Sequence, residues 1–110
     1  MNKQTTKVLL VDDEPHILVA LEYLVKQEGY QVFKASDGES ALDLVQQQSP
    51  QIVVLDVMMP GIDGFEVARR IRNTPEHQDT RIIFLTEVYL TKPFDNKELI
   101  NTINEVVEFG

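Results

Sequence analysis

The sequence predicts an α/β fold, a doubly wound parallel sheet with helices on both faces, and three observations carry that prediction. Apolar β-branched runs alternate along the chain with amphipathic stretches of helical period. The runs KVLLV, IVVL and RIIFL are apolar almost throughout, as strands buried on both faces require. Each of these runs is closed by an oxygen-bearing side chain: Asp12 and Asp13, Asp56, and Thr86. In doubly wound sheets ligands bind beyond the carboxyl ends of the strands, so those residues are the candidate site.

The elements follow in order. Lys7–Val11 reads as the first strand, and Pro15 stands where a first helical turn tolerates proline. Ile17, Leu21 and Leu24, with Leu18 and Val25, repeat at helical spacing until Gly29 stops the helix. Gln31–Ala35 is a more polar strand, as an edge strand is. Gly38 opens a second helix carrying Ala41, Leu42 and Val45, and Pro50 ends it. Residues 52–55 form the third strand. After the loop VMMPGID, Gly64 leads into a helix expected to set Phe65, Ala68 and Ile71 on one face. Arg81–Leu85 is the fourth strand. The last helix begins with Asp95 as N-cap and Glu98 three residues later, a capping box, with Phe94 and Leu99 spaced as a hydrophobic staple. Leu99, Ile100, Ile103, Val106 and Val107 supply its apolar face.

Composition bounds the function. The 110 residues are expected to form one domain, 1–110, with no linker or repeat. The absence of cysteine excludes disulfides, thiolate metal sites and cysteine catalysis. A net charge of −8 disfavours direct nucleic-acid binding, and Arg69-Arg70-Ile71-Arg72 reads as the solvated face of a helix. The apolar runs are too short to span a membrane, and MNKQTTK lacks a signal-peptide core, so a cytoplasmic location is expected.

Three carboxylates converging at strand ends repel one another, so they take up protons or recruit a cation. An all-oxygen site with room for water suits Mg2+ or Mn2+. A carboxylate beside such an ion can act as a nucleophile toward phosphorus, giving an aspartyl phosphate. A lysine and a threonine hydroxyl, such as Lys92 and Thr86, suit the oxygens of the transferring group. Singly, each residue has a plainer reading: Asp13 as a helix cap, Asp56 in a turn, Thr86 at the core edge, Lys92 as a solvated charge. Together they fit one phosphoryl site. His16 and His77 are read as exposed residues and not as ligands.

The pieces VLLVDDEP, VVLDVMMPGIDGFE, IIFLT and YLTKPF, in that order, resemble the receiver domain of two-component response regulators, the CheY-like family. The resemblance runs from end to end, and its middle motif is highly specific. It implies a flavodoxin-like sheet of five parallel strands, in the order 2-1-3-4-5. By resemblance, Asp56 is the phosphoacceptor, served by the sensor histidine kinase or a phosphotransfer protein. Asp12, Asp13, Asp56 and the backbone carbonyl of Met58 hold Mg2+. Thr86 is the switch hydroxyl, Tyr89 the aromatic that follows it, Lys92 the phosphate-pairing lysine, and Pro93 follows a cis peptide bond. Phosphorylation and dephosphorylation would be self-catalysed in a signalling domain and not an enzyme. A metal-dependent phosphatase of the haloacid dehalogenase type would carry a second Asp two residues after the nucleophile, where Met58 stands. DVMMPGIDG also lacks the oxygen ligands of an EF-hand.

The sequence departs from the family between Thr86 and Lys92. The family has a fourth helix there, whereas here only residues 87–91 intervene, and a crossover needs about 15 more. The shortfall begins right after Thr86, which is followed by Glu87 where the family usually has a small residue. Either the sequence as written omits a segment or the deletion is real. If real, residues 82–90 could run as one strand, with the last strand and helix docking on a second chain. An intact mass near 12.6 kDa establishes the deletion. The rival to a phosphorylation switch is a constitutive interaction module whose pocket is uncoupled from output. The output itself, an effector domain or a homodimer, is not legible.

Overall fold

The structure, a computed structural model, describes residues 3–85 and 97–109, the side chains of residues 97, 98, 108 and 109 excepted. A 3-10 turn, Lys3–Thr5, precedes β1 (Lys7–Val11), α1 (Pro15–Gln27), β2 (Gln31–Ala35) and α2 (Gly38–Gln48). Then come β3 (Ile52–Asp56), α3 (Gly64–Arg72), a second 3-10 turn (Pro75–His77), β4 (Arg81–Leu85) and α4 (Lys97–Phe109). The described strands form one parallel sheet in the order β2-β1-β3-β4. The fold is flavodoxin-like α/β, and the more polar β2 does lie at an edge. The fifth strand expected of the sequence falls outside the described residues.

Alternation along the strands divides the core into two layers. Val8 and Leu10 of β1, Ile52 and Val54 of β3, and Ile83 and Leu85 of β4 face α1 and α4, meeting Leu18, Leu21, Val25, Leu99, Ile103 and Val107. Leu9, Val11, Val53 and Leu55 face the other way, onto Ala41 and Val45 of α2 and Val67 and Ile71 of α3. The apolar face read for α3 therefore needs correcting. Val67 and Ile71 are buried, Ala68 is partly buried, and Phe65 is 60% exposed. Phe65 stands one position outside the buried stripe, where its ring packs on Phe84 at 5.1 Å between centroids.

The last helix docks on this chain's own sheet, through Leu99, Ile103 and Val107. Its register is fixed by a polar bridge: the Tyr30 hydroxyl donates to Asn104 Oδ1 at 2.6 Å, and Asn104 Nδ2 donates to Glu28 Oε1 at 3.0 Å. Its capping box and staple rest on Phe94, Asp95 and the Glu98 side chain, which lie outside the described residues.

His77 corrects a second expectation, because it is buried rather than exposed. The 3-10 turn after Thr74 rolls its ring beneath the amino ends of β3 and β4. There it lines a small cavity with Pro50, Gln51 and Thr80. Among the described residues its Nε2 has no hydrogen-bond partner. His16, as expected, is exposed and pairs with Glu14 at 3.1 Å. The arginines of α3 are solvated as well: Arg69 and Arg70 both bond to Glu66.

Candidate acidic site at the switch point of the sheet

The chain leaves β1 toward β2 on one side and reaches β3 on the other, so the strand order reverses between β1 and β3. A crevice opens at the carboxyl ends of such a pair. Asp12 follows the last residue of β1 and Asp56 is the last residue of β3. Strand register sets these ends level, with Val11 opposite Leu55. Asp12 is further fixed by its N–H, which donates to Ala35 of β2 at 3.2 Å.

The structure brings Asp12, Asp13 and Asp56 together: one carboxylate oxygen from each lies within 4.8 Å of the other two. It does not support the capping role for Asp13. Glu14 occupies the N-cap of α1, with no side-chain cap bond and with Pro15 next. Instead the Asp12 carboxylate turns onto the helix start, accepting the Glu14 N–H at 2.9 Å. Asp56 accepts the Met58 N–H at a longer 3.3 Å. Met58 itself is 81% exposed, beside a shallow groove lined also by Met59, Pro60, Asp63 and Phe65.

Burial and crowding push the Asp12 and Asp56 carboxyls toward their protonated forms. Asp12 is pushed up to about 6, first by burial; the Glu14 N–H opposes this, and the charges of Asp56, Asp13 and Glu14 add to it. Asp56 is raised for the same first reason, with the Met58 N–H opposing and Asp13 adding. Two carboxyls that resist ionisation, Asp12 and Asp56, with the Asp13 carboxylate beside them, make a site in want of positive charge.

The donor set fits a small hard cation. An octahedral Mg2+ holds oxygens at about 2.1 Å, so its ligand atoms stand at most about 4.2 Å apart. Separations of up to 4.8 Å close onto that geometry by small side-chain rotations or through a bound water. Among the described residues the donors are carboxylate oxygens, with no nitrogen or sulfur, a set that favours Mg2+ or Mn2+ over softer metals.

Local sequence builds the other wall. Asp63 caps α3, accepting the Glu66 N–H at 2.9 Å. The Gly64 N–H donates to the Val57 carbonyl at 3.0 Å, folding the start of α3 back against the end of β3. Residue-type reasoning missed two contributors here. Glu14 adds its charge to both Asp12 and Asp56, a role signalled by the run Asp12-Asp13-Glu14. Gly64 touches the Asp56 backbone so closely that it admits no side chain, a contact that no sequence spacing encodes. Thr86, Tyr89, Lys92 and Pro93, read as switch, aromatic, phosphate-pairing and cis-proline residues, all lie outside the described residues.

Over residues 8–88 the chain matches the family described as response regulator receiver domain. The response regulator TrrA of Thermotoga maritima, solved in complex with Mg2+ and BeF, is 32% identical, with a TM-score of 0.81 over 93% of this chain and 99% of that one. The chemotaxis protein CheY4 of Vibrio cholerae is 29% identical, with a TM-score of 0.80 over 92% and 98% of the two chains. The receiver domain of a Pseudomonas aeruginosa sensor histidine kinase, PA1611, solved with a magnesium ion in its active-site cleft, is 25% identical. Its TM-score is 0.83 over 94% and 98%. An acidic triad at the β1/β3 crevice, a sheet in this order and a family match over most of the chain agree, and the protein belongs to the response regulator receiver domains.

Proposed function

We propose that Asp56 is the phosphoacceptor of a two-component phosphorelay, and the observation that carries this reading is the acidic triad at the switch point. A carboxylate oxygen of Asp56 attacks the phosphorus of a phosphohistidine on a sensor kinase or phosphotransfer protein. The new O–P bond forms as the N–P bond breaks, and the imidazole leaves with the bonding pair. Asp12, Asp13, Asp56 and the Met58 backbone carbonyl would hold Mg2+ or Mn2+, which supplies charge neutralisation at the phosphoryl oxygens. Water later hydrolyses the acyl phosphate at the same site, so the domain carries and times a signal and does not turn over a metabolite. The Mg2+-bound receivers of Thermotoga and Pseudomonas support this cofactor.

Thr86 and Lys92 are proposed to bind the phosphoryl oxygens better than they bind the bare carboxylate. That difference would shift the population toward an active state, with Tyr89 following and Pro93 shaping the turn. The reading places the whole of residues 1–110 in one cytoplasmic receiver domain acting on an effector or through a homodimer. It is tested with acetyl phosphate or phosphoramidate and Mg2+, read by intact mass. Wild type gains one phosphoryl group and Asp56→Asn gains none; equal labelling of the two would refute it.

A further inference from the structure

We infer that Gly64 is a positioning residue for Asp56, acting directly on the backbone of the acceptor; the inference rests on the reading of Asp56 as the reactive carboxylate. Gly64 opens α3 immediately after the N-cap Asp63. A Cβ on residue 64 would stand 2.3 Å from the Asp56 carbonyl oxygen, 3.0 Å from the Asp56 carbonyl carbon and 3.0 Å from Val57 Cα. All three are backbone atoms, so no rotamer change can relieve the contact. Side-chain carbons essentially never approach other atoms closer than 3.0 Å, so any larger residue drives the end of β3 away. Displacements of the order of 1 Å at a reacting group are costly in rate. Helix propensity does not explain this glycine, since alanine is the better helix former.

A second glycine contact braces the same loop from another element. A Cβ on Gly38, the first residue of α2, would meet Ile62 Cγ1 at 2.4 Å, Ile62 Cδ1 at 2.8 Å and the Ile62 carbonyl oxygen at 3.0 Å. Loop 57–63 is therefore seated between two close approaches, one on α3 and one on α2. Gly64 fixes where β3 ends; Gly38 is a softer brace, because its two shortest contacts are to the Ile62 side chain and only the Ile62 carbonyl oxygen, at 3.0 Å, is backbone. Together they hold the backbone of Asp56 where its carboxylate oxygen lies within 4.8 Å of those of Asp12 and Asp13, from which small side-chain rotations reach a shared cation.

The test compares Gly64→Ala and Gly38→Ala with Gly29→Ala. Gly29 lies at φ +100°, so alanine there is strained, but among the described residues its Cβ meets only the Lys3 Cβ, at 3.9 Å and far from the acids. Thermal unfolding reports stability, Mn2+ titration followed by electron paramagnetic resonance reports the cluster, and acetyl phosphate labelling reports the acceptor. Gly64→Ala should weaken Mn2+ binding about 10- to 100-fold, as loss of groups that orient metal ligands does, with a matching loss of labelling. Gly38→Ala should show a smaller change of the same kind, and Gly29→Ala should lose thermal stability while keeping wild-type affinity. Folded Gly64→Ala that binds Mn2+ like wild type overturns the inference, as does an equal loss in Gly29→Ala. Should Gly64→Ala not fold, Gly38→Ala decides: wild-type Mn2+ affinity in that variant overturns the inference. If wild type binds Mn2+ but takes no phosphoryl group, the phosphoacceptor reading falls and the Mn2+ comparison still judges the positioning role. If wild type binds no Mn2+, both fall.

Discussion

Replacing Asp12 by asparagine should stabilise the protein at pH 8 and leave it nearly unchanged at pH 4. Asp12 is buried and its carboxyl is pushed from 3.8 up to about 6. Between those values the folded state holds more protons than the unfolded chain, so stability falls as pH rises through the window. Above the folded value the whole penalty is present. Raising the carboxyl from 3.8 to about 6 corresponds to at most about 3 kcal/mol, because water at the open crevice screens part of the charge. Asparagine keeps an oxygen for the Glu14 N–H and removes the charge, so it should recover much of that, roughly 10 °C in Tm for a chain of this size. Urea unfolding at both pH values, wild type against variant, isolates the effect from other titrations. Saturating Mg2+ should act on the same charge, raising wild type at pH 8 by about 2.7 kcal/mol at a hundredfold excess over Kd. The variant should gain far less. If Asp12→Asn destabilises the protein equally at pH 4 and pH 8, the electrostatic account of the cluster is wrong.

Other consequences follow from the packing. Asp63→Ala removes the cap of α3 and should cost about 1 kcal/mol in urea unfolding, with an unchanged m-value. Asn104→Ala breaks the bridge from Tyr30 to Glu28 and should cost about 1–3 kcal/mol, with faster amide exchange in α4 than in β1. Ile103→Ala, at a fully buried site, should cost about 2–5 kcal/mol in the same unfolding assay. Because α4 docks on its own chain, sedimentation of the unphosphorylated protein should give a monomer; a stable dimer would point to exchange of that helix.

Much of the fold was legible because two-sided burial of parallel strands leaves a plain signature. Lys7–Val11 and Arg81–Leu85 are strands as their apolar runs imply, and the polar Gln31–Ala35 is the edge. The acidic site was legible for a related reason. A carboxylate immediately after a buried strand has nowhere to go but the carboxyl edge of the sheet, and Asp12, Asp13 and Asp56 meet there. What escaped the sequence depends on contacts between distant segments. Phe65 has the right chemistry for the core but lies one position outside the stripe of Val67 and Ile71, and helical period alone did not separate the two faces. His77 is polar and sits in a short connection, yet its 3-10 turn tucks the ring under the sheet. Gly64 reads as a helix start, and only the folded chain reveals that it abuts the carbonyl of Asp56.

The most direct measurement is chemical trapping of the acyl phosphate. Protein labelled with acetyl phosphate and Mg2+ is treated with borohydride, which reduces a phosphorylated aspartate to homoserine, and peptides are then sequenced by mass spectrometry. The account predicts homoserine at position 56 and nowhere else, with no product when Mg2+ is removed by chelation. Homoserine at Asp12 or Asp13, or labelling that survives chelation undiminished, would contradict it.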